Sequence, residues 1–71
     1  MAAMRGKVVR VINEKGFGFI RAENGTDYFF HRSQLQQTAG RAWDQIEVGN
    51  PCLFEPIDGP KGPRAIDVQV Q

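Results

Sequence analysis

Phe17 and Phe19 stand two residues apart, as do Phe29 and His31, in two short apolar runs separated by Asn24-Gly25. Successive side chains of a strand point to opposite sides, so if both runs are strands each pair projects from one face. Paired as a hairpin, the runs gather three phenyl rings and an imidazole on a single surface. That placement is unusual for so small a protein and calls for a cause. Every nucleobase has a flat π-face, and stacking on an aromatic ring is worth ~1 to 3 kcal/mol per base with little regard for base identity. Three or four platforms would suffice for micromolar binding, which needs only about 8 kcal/mol after ordering costs are subtracted. Lys15 and Arg32 flank the rings and supply positive charge for a phosphate backbone.

The elements that must hold these rings are strands. Lys7-Val-Val-Arg-Val-Ile12 is rich in β-branched residues and ends at the turn-like Asn13-Glu-Lys-Gly16, which marks strand one. Lys15-Gly-Phe-Gly-Phe-Ile20 is strand two, and Asn24-Gly25 is a strong hairpin signal before strand three, Asp27-Tyr-Phe-Phe-His31. Ile20, Tyr28 and Phe30 fall on the face opposite the ring cluster and are needed to fill a core. Gly18 shares that inner face, where a missing side chain lets a strand bend as a barrel closes. Pro51 to Pro56 encloses a fourth strand with the prolines at its ends, and Arg64 to Val70 supplies a fifth. Asp58-Gly-Pro-Lys-Gly-Pro63 reads as a tight loop that continues neither strand and carries Lys61 at its tip. The stretch from Arg32 to Gly49 is long for a compact domain, which points to function or to a helical turn near Ser33 or Trp43. Five strands with one long connection suit a small closed barrel, since closure removes aggregation-prone edges.

Composition excludes several classes. Seventy-one residues allow one domain, spanning 1–71, with a compact core. Lys plus Arg number 9 and Asp plus Glu 8, so no strong overall field draws phosphate from a distance, and binding must rest on local geometry. Cys52 is the only cysteine, which leaves neither an internal disulfide nor a Cys-based zinc site and fits a reducing cytoplasm. Alternating apolar residues after Met1-Ala-Ala-Met-Arg5 match neither a signal peptide nor a membrane span. One histidine, one cysteine and no paired carboxylates give no nucleophile and base to name, so no enzyme is expected. Gly16-Phe-Gly18 is no dinucleotide fingerprint, because the third glycine would fall at Arg21 and no helix pattern follows.

The residues also resemble a known family, the bacterial cold-shock proteins, whose cold-shock domain is of the OB-fold type. Lys15-Gly-Phe-Gly-Phe-Ile20 looks like that family's first ribonucleoprotein motif and Asp27-Tyr-Phe-Phe-His31 like its second, followed by Ser33. Gly6-Lys-Val8 resembles its opening, Gly49 to Phe54 its fourth strand, and Gly62-Pro-Arg-Ala65 with Val68 its last loop and strand. The resemblance implies an all-β, five-stranded antiparallel OB-fold barrel, base stacking on Phe17, Phe19, Phe29 and His31, and Lys15 near the backbone. Where the family usually has a strand-one tryptophan this chain has Arg10, and Arg32 replaces an aromatic after the histidine. A guanidinium can still stack on a base, with less apolar area. Trp43, in a loop about two residues longer than usual, is either a substitute platform or a core plug.

Binding of single-stranded RNA or DNA is the function expected from these readings, with Arg10, Arg32, Lys15 and Lys61 near phosphates or bases. Binding the unpaired form would shift hairpins toward open strands, the work of an RNA chaperone without ATP, and the resemblance adds a role in transcription or translation. No cofactor, metal or membrane partner is expected, and the protein is taken as a cytoplasmic monomer with a dimer as the alternative. The rival function is a protein-interaction or self-association module built on the same aromatic patch.

Overall fold

Alternation of apolar and polar residues carries through to a closed all-β barrel of the OB-fold type, with strands in the order β1-β2-β3-β5-β4. The computed structural model describes residues 3–36 and 40–71. Its strands are β1 (Met4–Ile12), β2 (Phe17–Ala22), β3 (Asp27–His31), β4 (Pro51–Gly59) and β5 (Gly62–Val70). Antiparallel pairing joins β1 to β2, β2 to β3, β1 to β4 and β4 to β5. The barrel closes on a parallel seam, at Phe29 opposite Arg64, which the expectation of an antiparallel barrel did not include.

Local chemistry explains the β2–β3 hairpin. Gly25 takes φ +84°, a left-handed conformation that suits glycine, and the Asn24 side chain accepts a hydrogen bond from the Thr26 N–H at 2.9 Å. That turn fixes the register, with Phe17 opposite His31, Phe19 opposite Phe29 and Ile20 opposite Tyr28. Gly18 faces Phe30, whose ring fills the space a side chain would need: a Cβ there would lie 2.5 Å from the Arg10 carbonyl oxygen and 2.9 Å from the ring. The glycine thus accommodates a packed ring as well as strand curvature.

The β4–β5 hairpin is longer than the sequence indicates. Asp58 pairs with Pro63 and Gly59 with Gly62, so both strands run on to a two-residue tip, Pro60-Lys61, with Gly62 at φ +114°. Pro56 lies inside β4 and not at its end. Among the described residues, pairing of β4 with β1 runs only as far as Phe54, while Pro56 is opposite Ala65 of β5.

Val8, Ile20, Phe30, Val68 and Val70 have no exposed surface, and Phe54 has 1%. The long connection forms two 3-10 turns, Arg32–Gln34 and Trp43–Gln45, where the sequence pointed to one or the other. It is tied to β5 by the Gln36 N–H on the Val68 carbonyl at 2.7 Å and the Arg41 N–H on the Val70 carbonyl at 2.8 Å. Leu35, Trp43 and Ile46 from this connection join the core. Trp43 is only 6% exposed, with its ring edge-on to Phe30 at 5.8 Å, which corrects its candidacy as a binding platform and makes it a core plug.

Candidate nucleic-acid interface

The outer face of the β1-β2-β3 sheet carries the candidate residues in cross-strand rows. One row reads Arg10, Phe19, Phe29 and Arg64 across β1, β2, β3 and β5. The next reads Ile12, Phe17 and His31. On the other side of the first row stand Lys7, Arg21 and Asp27. Directly opposite residues of a sheet share a face, so these rows form one surface.

A β-bulge decides the place of Arg10. Val8 is opposite Ile20, but the next pair is Arg10 with Phe19, leaving Val9 as the extra residue. With strict alternation from the buried Val8, Arg10 would face inward. The bulge shifts the parity, so Arg10 emerges beside the rings and is exposed.

The three phenylalanines touch one another. Centroid separations are 5.3 Å for Phe17–Phe29, 5.9 Å for Phe19–Phe29 and 6.1 Å for Phe17–Phe19, the last two near perpendicular. Mutual contact leaves each ring half-buried, less open than the sequence reading held. Edge-to-face contact of this kind is a favourable arrangement of ring quadrupoles and holds the cluster in place without a ligand. None of the three belongs to the buried core.

His31 is exposed and fixed from behind. Its Nδ1 accepts the Ser33 backbone N–H at 3.1 Å and lies 2.9 Å from the Ser33 hydroxyl, capping the first 3-10 turn. In the neutral ring the proton then resides on Nε2, which is left as a donor.

Cations surround the rings. Arg32 donates its backbone N–H to the Gly16 carbonyl at 2.8 Å, and its side chain passes the bend at Gly16, next to Lys15. Lys61 lines a groove of about 560 Å³ with Phe19, Phe29, Pro60, Pro63 and Arg64. The β4–β5 hairpin tip therefore forms one wall of the ring surface. Arg64, which the sequence reading placed in strand five without a role, sits with its guanidinium carbon 5.9 Å from the Phe29 centroid, at the outer limit of cation–π contact. Alternation along β5 could have marked it as outward-facing, but the seam to β3 that brings it to Phe29 is non-local. Asp27 is engaged: Arg21 donates through Nε to Oδ1 at 2.8 Å and through Nη2 to Oδ2 at 3.3 Å. Those hydrogen bonds hold the Asp27 carboxyl below the usual carboxylate range. Away from this face, burial pushes the Cys52 thiol up to about 11.

Among the described residues no group of three or more His, Cys, Asp or Glu could hold a metal ion, and no helix is long and apolar enough to cross a membrane.

Comparison with known proteins places this surface in context. The sequence model of the 'Cold-shock' DNA-binding domain matches residues 4–71. Cold shock protein CspB of Geobacillus stearothermophilus is 42% identical over 64 residues, 90% of this chain and 92% of that protein. Cold shock-like protein CspC of Bacillus cereus is 42% identical over 65 residues, 92% of this chain and 95% of that protein. Cold shock-like protein CspD of Bacillus cereus is 44% identical over 63 residues, 89% and 91% respectively.

Proposed function

This chain belongs to the cold-shock domain family, whose members bind nucleic acid, and from that premise we propose that it binds single-stranded RNA or DNA by stacking bases on Phe17, Phe19, Phe29 and His31. The observation that carries this reading is the cluster of three half-buried rings, in mutual contact and outside the core. A packed core does not need them there, whereas bases laid on them would remove apolar surface from water. Lys15, Arg10, Arg32 and Lys61 are exposed, and in this reading they meet phosphates or base edges. A duplex hides its base faces in its own stack, so the preferred ligand is the unpaired strand. By mass action the protein then acts as an RNA chaperone, opening weak hairpins without ATP, in the cytoplasm and on transcripts during transcription or translation. The family match does not favour the protein-docking alternative.

Anisotropy of a labelled heptathymidylate or heptauridylate, against a duplex of equal length, tests the proposal. Trp43 is a poor reporter because its ring lies in the core against Phe30. Single strands should bind and the duplex should not, and Phe17→Ala or Phe29→Ala should each weaken binding by roughly 1 to 3 kcal/mol. Equal binding of duplex and single strand, or full affinity in both variants, would overturn the reading. About four phosphate contacts would give a slope of log affinity against log salt near −3 for a single strand; a much steeper slope would make charge, not stacking, the main force.

A further inference from the structure

Resting on the stacking reading above, we propose that Arg10 and Arg64 read the edge of a base lying on the Phe19–Phe29 pair and select guanine.

The two arginines end the same cross-strand row, Arg10 next to Phe19 and Arg64 next to Phe29. Three inter-strand steps of ~4.8 Å put their backbones about 14 Å apart, with the two rings between. A base stacked on either ring therefore directs an edge toward one guanidinium or the other. Both side chains are exposed, and neither has a hydrogen bond or ion pair with another side chain among the described residues. Asp27, the carboxylate in the adjacent cross-strand row, is already held by Arg21 through two contacts. The groove beside Phe29 is lined by Lys61 and Arg64 and by no acidic or amide side chain. His31 adds a further donor, since its Nδ1 is taken by Ser33. The polar side chains that end the Phe19–Phe29 row and line its groove, Arg10, Lys61 and Arg64, are thus donors only.

A donor-only rim discriminates among bases whose stacking energies are similar. Guanidinium presents paired N–H groups in a fixed fork and accepts nothing. Guanine offers two adjacent acceptors, O6 and N7, on one edge, which is the geometry that fork fits. Adenine places an amino group beside N7, so one arm of the fork meets another donor. Thymine and uracil have carbonyls separated by an N–H and can satisfy only one arm at a time. Cytosine, unpaired, retains adjacent acceptors on its pairing edge and ranks between. The expected order is guanine, then cytosine, then thymine or uracil, then adenine.

The test uses heptathymidylate as host, with the central base replaced by guanine, 7-deazaguanine, or adenine. Guanine should tighten binding about fivefold over the thymine host, and 7-deazaguanine, which stacks alike but lacks N7, should lose most of that gain. In Arg10→Lys/Arg64→Lys, which keeps charge but removes the fork, the ratio of guanine to 7-deazaguanine affinity should fall to near one. The readout is this ratio within each protein, so a general loss of affinity in the variant does not affect it. Equal binding of guanine and 7-deazaguanine by the unaltered protein, or an unchanged ratio in the double variant, overturns the inference while leaving stacking intact. If no single strand binds at all, both proposals fall together.

Discussion

The two faces of the β2–β3 hairpin are built from the same eleven strand residues, yet one behaves as core and the other as surface. Ile20 and Phe30 on the inner face have no exposed area and Tyr28 has 8%, whereas Phe17, Phe19 and Phe29 on the outer face remain half-buried. Two rings, Tyr28 and Phe30, point inward, and three phenyl rings with the His31 imidazole point outward. What separates them is what lies opposite: the inner rings meet Phe54, Trp43 and the barrel wall, while the outer rings meet each other and border a groove lined by Pro60, Lys61, Pro63 and Arg64. Strand alternation therefore lets adjacent residues serve the core and the candidate surface separately.

Substitutions test that contrast. Phe30→Ala, on the inner face, should cost about 3 to 5 kcal/mol in a denaturant titration, enough to unfold much of a domain this small. A loss below ~1 kcal/mol would mean the inner ring is not core. Gly18→Ala should destabilise by roughly 1 to 3 kcal/mol, because its Cβ would enter the space of Phe30 and the Arg10 carbonyl. Its melting temperature measures this, and a neutral result would show that the strands can separate freely there.

Cys52 extends the contrast to pH. Its thiol is buried and its pKa raised from 9.0 to about 11, so the folded state holds the proton more tightly than the unfolded chain. The associated stability is fully present below about 9 and is lost as pH rises through about 11. Urea midpoints across that range should fall in the natural protein and stay flatter in Cys52→Ala; identical curves would rule out the buried thiol as their cause. The smallest expected change in stability belongs to the outer face. Phe17→Ala should shift unfolding by about 1 kcal/mol or less, since the ring is half-buried and stands outside the core. A shift as large as that of Phe30→Ala would erase the distinction between the faces.

Strand three was legible to the residue, and strands one, two, four and five differ from their sequence limits by a few residues at their ends. Those differences arise where pairing, not composition, extends a strand: Met4 to Gly6 is drawn into β1 by β4, and Asp58 to Pro63 zips into the second hairpin despite its prolines and glycines. At the candidate site, Phe17, Phe19, Phe29 and His31 share a face as their spacing requires. Lys61 reaches the rings because the second hairpin projects over them.

The β2–β3 hairpin and its two faces follow from local order along the chain, because a turn of fixed chemistry and a period of two act between residues close in sequence. Arg10, Trp43 and Arg64 owe their places to long-range packing. A bulge turned Arg10 outward, barrel closure brought Arg64 to Phe29, and the long connection carried Trp43 onto Phe30. Each depends on partners distant in sequence, and the energy that fixes such contacts exists only once the sheet has closed around its core.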